Sequence, residues 1–423
     1  MCVTYCGSFP LLFDDIDAEI GADRAEGAET VGAETFANVS DHCWQCKLCY
    51  IKCPYTADEG AYELLDFPRL MLREKAQRAR RDGVPVVDRV LGEPQLIGAA
   101  GSGPVAPLVN FVNKNRLVRR ATETLTGIAS EFPLPPLARE PFHAWFSRRK
   151  PAPEAGQAGQ VVLFPTCYGD FNFPEVPRAA VGVLEKNGYS VIVPPGLTCC
   201  GMPNLDGGNL AAASEKMQQN VEVLVEYARQ GLPIVVPGPT CGMTMKKEWP
   251  LYVGTEAAAH VATSAQDLMQ FLDGLRRQKQ LNRDFVRGFG KVAYHAACHL
   301  RAQKVGIPGA RLLGLLPDTE VRVIERCSAV DGTWGMKARF YEEGGRYGRK
   351  LAQAVTNAHD EGDVLVVGDC NLAGLRIYKE NGKQVVHPIV ALAQAYGLDA
   401  SAGEDHAVPD DARRVADRAG GVA

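Results

Sequence analysis

Thirteen cysteines are spread along the 423 residues, and their spacing is what can do chemistry. The tightest set is Cys43-Trp-Gln-Cys46-Lys-Leu-Cys49-Tyr-Ile-Lys-Cys53-Pro54, a C-x2-C-x2-C-x3-C-P run of the kind that holds a [4Fe–4S] cluster. Three thiolates spaced in this way wrap three irons of a cube from one loop, and Pro54 ends the loop by fixing φ. A zinc site more usually shows two separated C-x2-C knuckles. In two-cluster ferredoxins the fourth Cys of each run ligates the other run's cluster, so Cys53 needs a partner run. Met1-Cys2-Val-Thr-Tyr-Cys6-Gly7 has the C-x3-C tail of one, and its first two cysteines would lie upstream of Met1. The pattern therefore predicts a truncated N-terminus. On the crossed arrangement, Cys43, Cys46, Cys49 and Cys6 complete one cluster, while Cys2 and Cys53 hold half of another. The plainer alternative leaves Cys2 and Cys6 incidental.

Further along, a short apolar, β-branched run precedes a Cys three times: residues 161–164 before Cys167, 191–193 before Cys199 and Cys200, and 234–236 before Cys241. The series then returns, with 292–294 before Cys298, 321–324 before Cys327 and 365–367 before Cys370. The offsets from Cys167, Cys200 and Cys241 are 131, 127 and 129 residues, which is an internal duplication. The first half supplies four thiols (Cys167, Cys199, Cys200, Cys241), enough for a [4Fe–4S] cluster. The second supplies three (Cys298, Cys327, Cys370), with Ser328 where the doublet's second Cys would stand. A three-thiolate site leaves one iron open to water, a substrate or another ligand, or holds a [3Fe–4S] cluster. His295 and His299 flank Cys298 as candidate fourth ligands, although a His beside a strand end is more often structural. Zinc in one half is the alternative, since thiolates suit it too; seven buried cysteines without metal is the bland reading.

These cysteines need elements to hold them. Helical stretches over 175–187 and 210–230 close at Gly188 and Gly231, where a left-handed cap is needed. Strand–helix alternation predicts parallel sheets covered by helices. Ligands of such sheets sit at the carboxyl ends of the strands, which is where the cysteines fall. The fold class is therefore α/β. A mostly helical ferredoxin-type [4Fe–4S] domain is expected over 1–90 and an amphipathic, Pro-rich connector over 91–150. Two duplicated α/β halves with parallel sheets follow over 151–285 and 286–398, then a disordered tail over 399–423. Residues 150–160, rich in Pro, Ala, Gly and Gln, read as a linker. Between the two N-terminal cysteine runs, Asp14, Asp15, Asp17, Glu19, Asp23, Glu26, Glu29 and Glu34 face a single Arg24. That acidic insert predicts a solvated, mobile loop, or else a docking surface for a basic redox partner.

Forty-six Lys and Arg against 50 Asp and Glu make a net charge of −4, which offers no case for nucleic-acid binding by phosphate neutralisation. Proline and glycine interrupt the uncharged stretch 94–113, so it cannot be one spanning helix. No basic stub and apolar run opens the chain, and the expected location is cytoplasmic with reduced cysteines. Peripheral contact with the inner face of the cell membrane is the softer expectation. It rests on residues 105–128, where Leu108, Val109, Phe111, Val112, Leu117 and Val118 alternate with Lys114, Arg116, Arg119 and Arg120. Such a stripe more often packs on its own domain with its charges in solvent. A basic run over 69–81 reads as the solvated face of a helix. No G-x-G-x-x-G follows a strand, and Gly98-Ala-Ala-Gly101-Ser-Gly103 lacks the spacing, so a flavin or nicotinamide belongs to another chain.

Cys199-Cys200-Gly201-Met202-Pro203 resembles the cysteine-rich "CCG" domain of heterodisulfide reductase subunits, glycolate oxidase iron–sulfur subunits and lactate-utilisation proteins. Pro239-Thr-Cys241-Gly-Met-Thr-Met-Lys-Lys-Glu-Trp-Pro250, His295-Ala-Ala-Cys298-His-Leu-Arg-Ala-Gln303 and Glu325-Arg-Cys327-Ser-Ala-Val-Asp-Gly-Thr-Trp334 add a resemblance to the C subunits of anaerobic glycerol-3-phosphate dehydrogenases. Together the motifs span roughly residues 1–395. The resemblance implies a subunit that passes electrons between a flavin-containing dehydrogenase, acting on glycerol 3-phosphate, glycolate or lactate, and quinone or another acceptor. Two readings compete with it: a self-contained reductase of the heterodisulfide type working at the open three-cysteine site, and a zinc- or cluster-binding scaffold. The Cys-Ser doublet, and Asn371 after Cys370 where Pro is expected, weaken the case for the non-cubane clusters of heterodisulfide reductase in both halves.

Overall fold

The structure, a computed structural model, describes residues 6–20, 32–359 and 363–398. Cys2, the middle of the acidic insert and the tail expected to be disordered lie outside the described residues. Among the described residues the strands form two four-stranded, all-parallel sheets, and the N-terminal region is helical. The first sheet runs β2-β1-β3-β4, with β1 Gly159–Leu163, β2 Tyr189–Ile192, β3 Ile234–Val236 and β4 Ala265–Asp267. The second runs β6-β5-β7-β8, with β5 Gly290–His295, β6 Thr319–Ile324, β7 Val364–Gly368 and β8 Val385–Val386. Strands that start at Gly159, Tyr189 and Ile234 return at Gly290, Thr319 and Val364, offsets of 131, 130 and 130 residues. The cysteine period is thus the period of a repeated strand–helix unit. Each sheet has its direction switch between its first and third strands, the place where parallel sheets receive ligands.

Six of the eight strands are those that the apolar runs predict. β4 and β8 are not, because three and two residues are too short to show an alternating pattern and no Cys follows them. Helices Glu175–Lys186 and Leu210–Arg229 end as expected, with Gly188 and Gly231 at φ of 84° and 74° just beyond them. The two sheets are not separate cores. Val161, Leu163 and Val235 of the first belong to one buried cluster with Val292, Tyr294 and Val367 of the second. Helices Glu175–Lys186 and Pro388–Ala395 pack against each other between them. Each fully buried aliphatic side chain there contributes about 1.5–3 kcal/mol.

Three expectations change at the N-terminal end. Asp14, Asp15 and Asp17 of the acidic insert sit on helix Ser8–Ile20 and Glu34 in the first turn of helix Ala33–Asp41, not on a mobile loop. Leu11 and Leu12 of the first helix pack on Val39 and Met71, which holds the pair in place. The basic run lies on helix Phe67–Asp82 and is more than a solvated face. Lys75 Nζ donates to the carbonyl of Cys43 at 3.3 Å, and Arg78 joins Asp41 at 2.5 Å to Glu74 at 2.8 Å.

The third change concerns the connector. Residues 94–113 are broken into helices Pro94–Gly101 and Ala106–Asn113, and no described helix is long and apolar enough to cross a membrane. Helix Arg116–Thr126 follows, and its amphipathic stripe is turned the other way from expectation. Leu108, Phe111, Leu117 and Leu125 are 65–77% exposed, whereas Arg119 is buried. Arg119 donates to the carbonyls of Ala129 at 2.7 Å, Phe132 at 2.9 Å and Ser130 at 3.2 Å. Satisfying three loop carbonyls with one guanidinium outweighs burying the leucines, because buried carbonyls must find donors.

Candidate metal centres

In both halves the chain passes from the carboxyl end of a strand into a cysteine and then, except after Cys327, into the first turn of a helix. Cys167 and Cys298 open helices Cys167–Phe171 and Cys298–Ala302, Cys241 lies in Pro239–Met243, and Cys370 caps Asn371–Asn381. Backbone N–H groups there point at sulfur: those of Tyr168, Gly201, His299, Leu372 and Ala373 favour the thiolates of Cys167, Cys199, Cys298 and Cys370. A helix start is where a thiolate is best held. The turns are unusual. Thr166 has φ of 68°, rare for a β-branched residue, and its Oγ1 accepts from Gly169 N at 3.0 Å. Gly201, just after the doublet, has φ of 91°, and a side chain there would meet the Ala213 carbonyl at 2.9 Å.

The four thiols of the first half converge. Cys167 Sγ and Cys199 Sγ lie 3.9 Å apart, and Cys200 interacts with both Cys199 and Cys241. Met202, Phe164 and Trp249 pack around them, while Trp249 Nε1 and Asn220 Nδ2 donate to the carbonyls of Cys200 and Cys199 at 3.0 Å. Cys199 accepts from Cys167 and Cys200 and is held well below its ordinary value, while those two are driven well above theirs. Four sulfur donors in an apolar pocket, competing for one thiolate, fit a group that neutralises several thiolates at once, as an iron–sulfur cluster does.

Cys298, Cys327 and Cys370 line one cavity together with His295, His299, Ser328 and Asp331. Burial pushes the Cys298 thiol well up and that of Cys327 up to about 12. The two histidines of this cavity differ in what they leave free. His299 is hydrogen-bonded at both ring nitrogens, Nδ1 to Thr240 Oγ1 at 2.9 Å and Nε2 to the Gln45 carbonyl at 3.1 Å. His295 donates from Nε2 to the Arg326 carbonyl at 3.0 Å, and burial lowers it to about 4, so it is neutral; its Nδ1 has no hydrogen-bond partner. The donor set of three thiols fits a cluster with one iron not held by sulfur.

The N-terminal loop is wound tightly by left-handed residues on either side of Cys46, Gln45 at φ of 55° and Lys47 at 60°. It is wedged against both halves. Lys47 pairs with buried Glu248 at 3.2 Å, Trp334 Nε1 donates to the Asp41 carbonyl at 2.8 Å, and Trp44 lies against Trp334 and Tyr347. Burial, followed by the charges of Asp331, Cys298 and Cys327, pushes the Cys46 thiol well up, and the Gln45 carbonyl next to it is bonded by His299 of the three-cysteine cavity at 3.1 Å. Cys6 packs with Trp44 and Cys327, and burial followed by the charge of Cys43 pushes it to about 12. Cys49 caps the turn Tyr50–Lys52, and half-buried Cys53 ends it, with described contacts to Tyr50 and Thr56.

Two residues that sequence reasoning passed over join the centres. Tyr168, beside Cys167, packs with Cys199, Cys200 and Cys241 on one side and belongs with Cys370 to a second cluster, so it stands between the two halves' cysteine sets, and burial pushes its hydroxyl far up. Asp331 lines the three-cysteine cavity and also an adjoining one with Cys43, Lys75 and Asp206. The only signal for either was its closeness to a motif cysteine.

Comparison with known proteins supplies the family context. The CCG family, described as "Cysteine-rich domain", matches residues 161–246. The chain is 27% identical over 311 residues to the C subunit of anaerobic glycerol-3-phosphate dehydrogenase from Escherichia coli, covering 72% of this chain and 76% of that one. It is 30% identical over 231 residues to lactate utilization protein A of Geobacillus kaustophilus, covering 50% of this chain and 87% of that one. It is 27% identical over 215 residues to the B subunit of the fumarate reductase (CoM/CoB) from Methanothermobacter marburgensis, covering 50% and 41%.

Proposed function

Since the chain belongs to the cysteine-rich CCG family that includes lactate utilization protein A, we propose that it is an iron–sulfur electron-transfer subunit. It would carry electrons between a flavin-containing dehydrogenase of the glycerol 3-phosphate, glycolate or lactate type and quinone or another acceptor. The observation that carries this reading is contiguity: His299 of the three-cysteine cavity bonds to the Gln45 carbonyl beside Cys46, Cys6 and Trp44 pack with Cys327, and Tyr168 packs both with the first half's four cysteines and in the cluster that holds Cys370. Cys43, Cys46, Cys49 and Cys6 would hold one cluster, Cys167, Cys199, Cys200 and Cys241 a second, and Cys298, Cys327 and Cys370 a third. When bound, such clusters accept and release electrons one at a time. The chain's own work is to hold the thiolates at strand ends, donate N–H groups to sulfur and exclude water with Trp249, Phe164 and Trp334. The exposed leucines and Phe111 of helices Ala106–Asn113 and Arg116–Thr126, bordered by exposed Lys114, Arg116 and Arg120, suit peripheral contact with a membrane carrying the acceptor.

The test is iron, sulfide and zinc content of anaerobically purified protein, with low-temperature EPR during dithionite titration. About 8–12 iron atoms per chain, matching sulfide and more than one signal are expected. Roughly 4 iron atoms with zinc would instead make the duplicated halves a scaffold. One observation favours a second reading: Cys298, Cys327 and Cys370 are less buried than Cys199 and Cys200 and line a cavity, as a disulfide-reducing site requires. Turnover of a disulfide by the isolated chain, abolished in Cys298→Ser, would establish it.

A further inference from the structure

We infer that the Asp331 carboxylate is the oxygen ligand that completes the three-cysteine centre of Cys298, Cys327 and Cys370. The inference rests on the reading of that centre as an iron–sulfur site. It begins from a deficit: where the first half has a Cys doublet, the second has Cys327-Ser328, so one donor is missing. Asp331 is four residues beyond Cys327 and lines the same cavity. Its Oδ1 lies 3.9 Å from Cys298 Sγ, and the candidate ligand atoms of Cys298, His299 and Asp331 all fall within 4.8 Å of one another. Of the other donors in that group, His299 has both ring nitrogens engaged by Thr240 and Gln45, and His295, whose Nδ1 is unpartnered, lines the cavity but lies outside the group, which leaves the carboxylate as its free oxygen donor.

The surroundings of Asp331 make little sense for a residue with a merely structural task. Its side chain is only 3% exposed, and the base facing it is His299 at 3.7 Å, a histidine that burial keeps neutral. Lys75 and Lys47 bear on it only from a distance, since Lys75 reaches the Cys43 carbonyl and Lys47 pairs with Glu248. A carboxylate taken out of water needs a cation or several donors, and a bound iron supplies the cation. The backbone that presents it is strained. Ala329 and Asp331 hold φ of 48° and 34°, left-handed values for residues with a side chain. Bonds from Gly335 N to the Val330 carbonyl at 3.0 Å and from Trp334 N to the Asp331 carbonyl at 3.2 Å pin the loop. A side chain on Gly335 would run into the Ala329 carbonyl, so the loop is built around this conformation. Strain kept beside a candidate site points to a side chain that must be aimed.

An oxygen ligand is harder than a thiolate and exchanges more readily, so the iron it holds is the one that leaves or changes partner first. Asp331 also lines the cavity shared with Cys43, so the residue that would hold this iron is within reach of the N-terminal loop.

The test uses the full chain, purified anaerobically as wild type, Asp331→Ala, Asp331→Asn, Asp331→Cys, His295→Ala and Cys298→Ser. Iron and zinc per chain, EPR of the oxidised protein and the midpoint potential of each signal are measured, and circular dichroism checks folding. Asp331→Ala is expected to lose about one iron per chain and to show a [3Fe–4S]-type signal absent from wild type. Asp331→Asn, isosteric and a poor ligand, should do the same if the alanine variant fails to fold. Asp331→Cys should keep its iron and move the potential of that one centre. Wild-type iron content and spectra in both Asp331→Ala and Asp331→Asn overturn the inference, as does an iron loss seen in His295→Ala but not in them. Cys298→Ser separates the two levels of argument. If it strips the centre while the Asp331 variants do not, the ligand assignment alone is wrong. If it removes no iron, or if the centre holds zinc, the iron–sulfur reading of the second half falls, and this inference with it.

Discussion

At Asp273 three guanidinium groups meet one carboxylate: Arg276 and Arg277 donate at 2.7 Å and Arg311 at 2.9 Å. Burial raises this acid, but the three arginines outweigh it and hold the carboxyl down to about 2. Asp206 and Asp331, buried without such partners, are driven upward by burial. The same residue type therefore does opposite things according to what compensates it. Because the folded value of Asp273 is depressed, its contribution is complete above the unfolded carboxylate value near 4 and is lost as pH falls through about 2. Asp273→Asn should lower stability at pH 6 by about 1–2 kcal/mol, and the gap from wild type should close between about pH 4 and pH 2. Paired urea titrations at pH 6 and pH 3 read that gap; an equal gap at both would mean that lost packing, not charge, is responsible.

The recurring element is a strand that ends in a cysteine and turns at once into a helix. Its logic is local: β-branched residues extend the chain, and the following helix start offers N–H groups to sulfur. The connector helices show the limit of reading amphipathicity from a pattern. The stripe in 105–128 predicts a buried apolar face, yet Arg119 is the buried residue because it serves the carbonyls of Ala129, Ser130 and Phe132. The leucines are left outside. Flotation with anionic vesicles should carry the wild-type protein upward and leave a Phe111→Ser/Leu117→Ser variant behind, with iron content unchanged in both. Equal flotation would remove the membrane proposal and leave these helices as a surface for something else.

On the scale of the whole molecule, the N-terminal loop and the two sheets form one packed unit. Trp334 is the hinge pin of that packing: it is 4% exposed, stacks on Phe340 with ring centroids 4.7 Å apart and bonds to the Asp41 carbonyl. Trp334→Ala should cost about 3–5 kcal/mol and lower the urea midpoint accordingly. If the proposed clusters are present, the EPR signal assigned to the N-terminal one should be broadened or lost while that assigned to the first half stays sharp. A broadened first-half signal as well would mean that the effect is general loosening.

The sequence by itself determined the duplication and the parallel α/β architecture, and it singled out the cysteines proposed to carry the chemistry. Cysteine spacing acts over a few residues, and hydrophobic period and glycine caps act over one element, so both can be read along the chain. It did not reveal β4, β8, the orientation of Arg119, or the placement of Asp331 and Tyr168 between cysteine sets. Those depend on which distant segments meet: His299 reaches back 254 residues to Gln45, and Trp334 reaches 293 residues to Asp41. Which thiols become neighbours is decided by sheet order and core packing, long-range terms that no local spacing encodes.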